Sequence, residues 1–319
     1  MSPAYAQELT MWDSRSFSQR FSQAAKKGDY HQLNALRVAV FSDTVQHIQR
    51  EQYLNQRGKT VLLPLDRRLT KESVLYTKKL EDTPSSNVKT HISVVNADCL
   101  AIAEGEGNNP LVLNMANPYT PGGGVERGAG AQEEHLFRSS NYLLSLYSFD
   151  DALAKAYGIP KAKQSYPLHE AYGSVYSPMV TVFRGREKDG YPLLDQPYKA
   201  SFIAIAAIHD PPLVKGNRGL YEMAEADQVL TKEKMRTLFR VAKKHNHQTL
   251  ILSALGCGAF CNPPHQIAAL FRQVLQEAPY KGAFAKIIFA IQDDHNTHKW
   301  YNPEGNFAPF EREFKSGNL

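Results

Sequence analysis

At 319 residues and 35.8 kDa the chain is long enough for one large domain or two unequal ones, and it needs no disulfide or metal staple to bury a core. Apolar residues at 42% and charged residues at 22% exclude a disordered or fibrous protein. A net charge of +5 favours an anionic ligand such as a phosphate ester, yet falls short of a nucleic-acid-binding footprint, so neither nucleic acid nor membrane is an expected partner.

The first ninety residues read as helical. From Gln32 to Tyr53 the apolar residues Leu33, Leu36, Val40, Val45 and Ile48 recur at near-helical spacing. The polar run Glu81–Asn87 then marks a boundary. Residues 1–88 are therefore expected to form a helical accessory region packed on a core of residues 89–319. Beyond it, short β-rich runs appear at His91–Val95, Leu111–Met115, Phe202–Ile208, Thr249–Leu252 and Ile287–Ile291. Helical patterns cover Gln132–Tyr147, Thr231–Lys244 and His265–Leu275. This alternation predicts an α/β layered fold around a parallel or mixed sheet. Gly158–Lys199, rich in Tyr, Pro and Gly with one strand-like piece at Met179–Phe183, reads as a long structured excursion.

Cys99, Cys257 and Cys261 make an odd count without framework spacing, which points to a reducing compartment. No run approaches the roughly 20 apolar residues of a membrane span. The N-terminus MSPAYAQELTMWDSRSF lacks the basic flank and apolar core of a secretory signal. A cytoplasmic location is the expectation, with signal-free export left open. Cys257, Cys261 and His265 fall at C-x3-C-x3-H spacing, with His295 and His298 further on. No second ligand pair of equal clarity accompanies them, so two small thiols in a tight loop are expected rather than a metal site.

Two glycine-rich loops each follow an apolar strand and feed a helix. The first runs from Asn114 through Asn117, Gly122-Gly123-Gly124-Val125, Gly128 and Gly130 to Gln132-Glu133-Glu134; the second runs from Ser253 through Gly256-Cys257-Gly258-Ala259-Phe260 to Pro264. Glycines let main-chain amides approach a ligand, and amides at a helix entrance suit an anion. Two such loops at the carboxyl ends of strands would flank one crevice and suit a diphosphate. The dinucleotide pattern G-x-G-x-x-G and the P-loop pattern are both absent, which removes most support for hydride transfer or nucleotide hydrolysis of the usual kinds. Glu133 and Glu134 open a helix, where the macrodipole favours acids by about 0.3–1 kcal/mol without any catalysis. Successive helical residues point roughly 100° apart, so the two acids are expected to have different roles.

Gly122-Gly123-Gly124, seven intervening residues and Gln132-Glu133-Glu134 resemble the GGG-X(6–8)-QEE motif of poly(ADP-ribose) glycohydrolases. The segments RVAVFSDTVQHI, LNMANPYTPGGG, AQEEHLFRSSNYLLSL, VYSPMVTVFRG, GCGAFCNPP and IIFAIQD are similar to those of the microbial-type branch, a macrodomain family. The resemblance implies a macrodomain-like three-layer α/β fold with a central mixed sheet and an N-terminal helical extension. It implies an ADP-ribosyl glycohydrolase acting on poly(ADP-ribose) or ADP-ribosylated protein, without cofactor or metal. Carried over, Glu134 is the acid that protonates the leaving oxygen at ribosyl C1″, and Glu133 holds hydroxyls of the scissile ribose pair. Asn117 meets the distal ribose. Gly122, Gly123 and Gly124, with Val125 and Gln132 beside them, wrap the diphosphate. Gly256, Cys257, Gly258, Ala259 and Phe260 form the second phosphate loop, and Asp98 falls where macrodomains meet adenine. Leu255 and Cys261 stand where the family usually has Trp and Gly, which bears on acceptor choice. The alternatives are a mono-ADP-ribosyl hydrolase, for example of arginine linkages, or a non-catalytic ADP-ribose reader.

Overall fold

The computed structural model describes residues 11–64, 67–216, 219–293 and 297–315. The chain opens with two antiparallel-connected helices, α1 (Ser14–Lys27) and α2 (Tyr30–Arg50). Asp13 and Asp29 cap them by accepting from the amides of Ser16 and Gln32, and Gly28 in the left-handed region ends α1. A hairpin of β1 (Gln52–Leu54) and β2 (Thr60–Leu62) follows, then α3 (Arg67–Glu72) and β3 (Val74–Tyr76). The remainder alternates as β4 (His91–Val95), α4 (Cys99–Glu106), β5 (Leu111–Met115), α5 (Gln132–Ser139), α6 (Leu143–Leu146) and α7 (Asp151–Tyr157). It continues with β6 (Ser174–Arg184), β7 (Leu193–Ile205), β8 (Leu213–Lys215), β9 (Tyr221–Met223), α8 (Glu225–Lys244), β10 (Thr249–Leu252), α9 (Pro264–Gln276), β11 (Lys286–Ala290) and α10 (Phe307–Glu313).

Seven strands form one mixed sheet in the order β3-β6-β7-β5-β10-β11-β4. The β3–β6 and β6–β7 pairs are antiparallel; β7–β5, β5–β10, β10–β11 and β11–β4 are parallel. Alternation of side chains along each strand fills two cores. Val112, Phe202, Ala204 and Ile251 face the layer of α2, α4, α5 and α6. Leu111, Leu113, Ile203, Ile205, Leu250 and Leu252 face α8, α9 and α10. The result is the expected three-layer arrangement with a central mixed sheet. No helix among the described residues is long and apolar enough to cross a membrane.

Three sequence expectations change. Residues 74–76, inside the stretch read as helical, are an edge strand of the main sheet. The run read as Phe202–Ile208 is the buried end of a strand that begins at Leu193. Most of the excursion 158–199 is thus the β6–β7 hairpin, hidden from periodicity by Pro178, Pro192 and Pro197 and by register shifts after Ser177 and Val182. The helix expected over Gln132–Tyr147 breaks at Ser140, which forms an isolated bridge to Val182, while Asn141 Oδ1 accepts from the Thr181 amide at 2.9 Å. Strand pairing there outcompetes helix continuation.

The N-terminal helices are tied to this hairpin. Arg184 of β6, fully buried, pairs with Asp43 of α2 and donates to Thr44 Oγ1 at 2.8 Å. At the hairpin tip Tyr191 packs with Phe17, Leu36 and Val40, and Trp12 Nε1 donates to the Gly190 carbonyl at 2.8 Å.

Candidate active site

The first glycine loop descends from β5 and delivers the chain into α5. Asn117 turns it: its Oδ1 accepts from the amides of Tyr119 and Thr120, each at 2.9 Å. Gln132 fixes α5 against the strand by donating to the Leu113 carbonyl at 2.6 Å and accepting from the Met115 amide at 3.0 Å. That crosslink sets the rotation of α5 and turns Glu133 and Glu134 inward; they are 3% and 6% exposed.

The two carboxyls are held differently. Glu133 Oε2 accepts from the Asn117 amide at 2.8 Å, and Oε1 from the Gly122 amide at 3.1 Å and Asn114 Nδ2 at 3.2 Å. Burial pushes its pKa up to about 8 against the pull of the Asn117 amide, and the adjacent Glu134 adds to the rise. Glu134 Oε1 accepts from the Gly124 amide at 2.8 Å, while Oε2 has no partner among the described residues. Gly123 lies in the left-handed region at φ 58°, and a Cβ there would stand 2.4 Å from Glu134 Oε1. No residue with a side chain fits that turn beside the carboxyl.

The first loop's amides are therefore spent inside the protein: Gly122 on Glu133, Gly124 on Glu134, and Gly123 on the Thr120 carbonyl. The second loop is different. Among the described residues the amides of Gly256, Gly258, Ala259 and Phe260 have no internal acceptor. Asn262 shapes this loop by donating from Nδ2 to the carbonyls of Ile208 (2.7 Å), Phe260 (2.8 Å) and Gly256 (3.2 Å). Tyr301 braces it by donating to the Gly258 carbonyl at 2.8 Å. The loop feeds α9, whose dipole adds to the attraction for an anion.

A cavity of ≈ 380 Å³ lies against this second loop, within the size range of small-molecule sites. Of the residues singled out from sequence, Asp98, Gln132, Gly256, Gly258, Ala259 and Phe260 border it. Cys257, Val125, Asn117, Gly122–Gly124 and the two glutamates do not; Gly130, Ala131 and Gln132 form the wall on their side. Asp98 caps α4 by accepting from the amides of Leu100 and Ala101, each at 3.0 Å, and its other oxygen lies 3.1 Å from His135 Nε2. Burial works against its charge, but His135 and those amides prevail and bring its pKa down to about 2. It is an anion with both oxygens engaged.

Sequence reasoning missed the opposite wall. Arg37 of α2 and Glu187 and Tyr191 of the β6–β7 tip border the cavity with His135 and Arg138. Arg37 donates twice to Glu187, at 2.9 Å each. Arg138 donates to Tyr191 Oη and to the Ala129 carbonyl, both at 2.8 Å. Only His135, next to the motif, had a local signal. Cys257 is a buried thiol whose pKa burial raises well above the ordinary value. Among the described residues no three His, Cys, Asp or Glu side chains cluster as a metal site; His295 lies outside them.

Comparison with known proteins follows the same line. The family described as microbial-type PARG, catalytic domain, matches residues 42–185. Poly(ADP-ribose) glycohydrolase from Thermomonospora curvata bound to the inhibitor ADP-HPD is similar at 27% identity, covering 87% of this chain and 99% of that one with a TM-score of 0.66. Poly(ADP-ribose) glycohydrolase from Deinococcus radiodurans in complex with ADP-ribose is similar at 26% identity, covering 80% and 99% with a TM-score of 0.61. No curated protein sequence matches the chain. Motif, sheet topology and these matches agree: residues 42–185 match the microbial-type PARG catalytic domain, and the fold is similar to that of bacterial poly(ADP-ribose) glycohydrolases.

Proposed function

We propose that the chain releases ADP-ribose from poly(ADP-ribose) or ADP-ribosylated protein by acid–base hydrolysis at ribosyl C1″, working in the cytoplasm without a nucleic-acid or membrane partner. The observation that carries this reading is Glu134: a buried carboxyl with one oxygen on the Gly124 amide and the other without a partner among the described residues, next in the chain to His135 of the cavity wall. The relatives' complexes with ADP-ribose and ADP-HPD support the same ligand class.

In this reading the amides of the second loop receive the diphosphate, and Phe260 stands against the distal ribose. Asn117 and Glu133, joined by their 2.8 Å hydrogen bond, hold the ribose hydroxyls. As the C1″–O bond breaks, its electron pair leaves with the oxygen, which takes the proton from Glu134. Positive charge gathers at C1″, and the anionic diphosphate offsets it. Water then adds to C1″ and gives its proton to the Glu134 carboxylate, restoring the acid. General acid–base help of this kind contributes roughly 10²–10⁴-fold.

The test is release of free ADP-ribose from poly(ADP-ribose) and from seryl- and arginyl-modified protein, compared side by side. Glu134→Gln is expected to abolish release while calorimetry still records ADP-ribose binding. Absence of release by the wild-type chain from every linkage overturns the proposal.

A further inference from the structure

Arg37 lies outside the glycine–glutamate motif, and both it and its partner Glu187 lie outside the family match at 42–185. It enters the site from α2 all the same. Its guanidinium borders the cavity and is gripped by two 2.9 Å bonds to Glu187. It also lies over the Phe21 ring at 5.1 Å, and its side chain is 13% exposed. A Cβ at Gly130 would stand 2.4 Å from Arg37 Cζ, so the guanidinium crosses the first loop where that loop has no side chain. Glu134 is four residues further on and interacts with it electrostatically.

That neighbour matters because Glu134 must change charge during turnover. Once it has donated its proton it is an anion at 6% exposure, with one amide on Oε1 and no partner for Oε2 among the described residues. A buried charge is costly unless a counter-charge is near. Glu133 adds negative charge when ionised. Arg127, whose guanidinium also approaches Gly124, is exposed and so screened by water. Arg138, fully buried one turn along α5, is committed to Tyr191 and the Ala129 carbonyl; Arg37 is a second largely buried cation that interacts with Glu134, and its two bonds to Glu187 fix it in place.

We propose that Arg37 is a positioning residue of the hydrolytic site: fixed by Glu187 and crossing at Gly130, it holds positive charge beside Glu134 and favours the carboxylate that exists between proton donation and water attack. This rests on the hydrolytic reading above. The pair comes from an N-terminal helix and a hairpin tip, at positions just outside the two ends of the 42–185 match.

Full-length Arg37→Met, Arg37→Lys and Gly130→Ala are compared with wild type for ADP-ribose release from poly(ADP-ribose), with ADP-ribose affinity measured by calorimetry. Arg37→Met is expected to lower kcat by roughly 10²-fold, the scale of losing one preorganised charge-stabilising group, with affinity changed by less than about threefold. Arg37→Lys, which keeps the charge, recovers much of kcat. Gly130 is outside the left-handed region, so Gly130→Ala keeps the backbone and the arginine but displaces the guanidinium; it is expected to lower kcat in the same way, and it carries the test if Arg37→Met does not fold. Unchanged kcat, or a loss confined to KM or to thermal stability, overturns the inference. A silent wild-type enzyme overturns the hydrolytic reading as well, whereas an active one with an unaffected Gly130→Ala and Arg37→Met overturns this inference alone.

Discussion

Glu133 carries three inward hydrogen bonds and a neighbouring carboxyl, and its titration has a consequence for stability. An exposed glutamate titrates near 4.5, whereas the folded protein holds Glu133 near 8. Between those values the folded state binds more protons than the unfolded one, so this group's contribution is full below 4.5 and is lost as pH rises toward 8. Thermal unfolding across that window is expected to show wild type losing stability relative to Glu133→Gln as pH rises; parallel slopes would refute it. Asn262 poses a second test, since its amide nitrogen alone ties three carbonyls of the second loop. Asn262→Ala is expected to cost about 1–3 kcal/mol in urea unfolding and to weaken ADP-ribose binding in calorimetry. The carboxyls and the glycines were legible because their spacing lies within one short segment. Arg37 was not, because its partner Glu187 is 150 residues away.

At the scale of elements, α2 is held to β6 by charge as much as by apolar contact. Arg184 is fully buried, and Asp43 is its anionic partner, with His47 Nε2 3.0 Å from the same Asp43 oxygen. Asp43→Ala leaves a buried guanidinium without its counter-ion and is expected to cost about 3–5 kcal/mol in denaturant unfolding. The double substitution with Arg184→Met is expected to cost less than the sum of the two singles. Strands built on short, mostly apolar runs, such as β4, β5 and β10, were readable to the residue. β6 and β7 were not, since Asp195, Gln196 and Lys199 of β7 are exposed and prolines break their alternation. α5 ended early for a tertiary reason: Ser140 and Asn141 pair with β6.

Across the whole molecule, two apolar cores sandwich one sheet, while α1 adds only a small third cluster around Phe17, Leu36, Val40 and Tyr191. Local opening follows buried contact. Amides of β5, β7 and β10 are therefore expected to exchange with deuterium last and those of α1 well before them; equal protection would contradict this ranking. The amino-acid order by itself determined the layered α/β class, the two glycine turns and the paired glutamates, because each depends on residues close enough in the chain to impose spacing and helix phase. Tertiary structure alone decided which loop keeps amides without an acceptor among the described residues, how tightly each glutamate is held, and that an arginine and a glutamate from distant elements close the wall beside them. Those outcomes depend on who meets whom in space, and local spacing carries no record of partners more than a hundred residues apart.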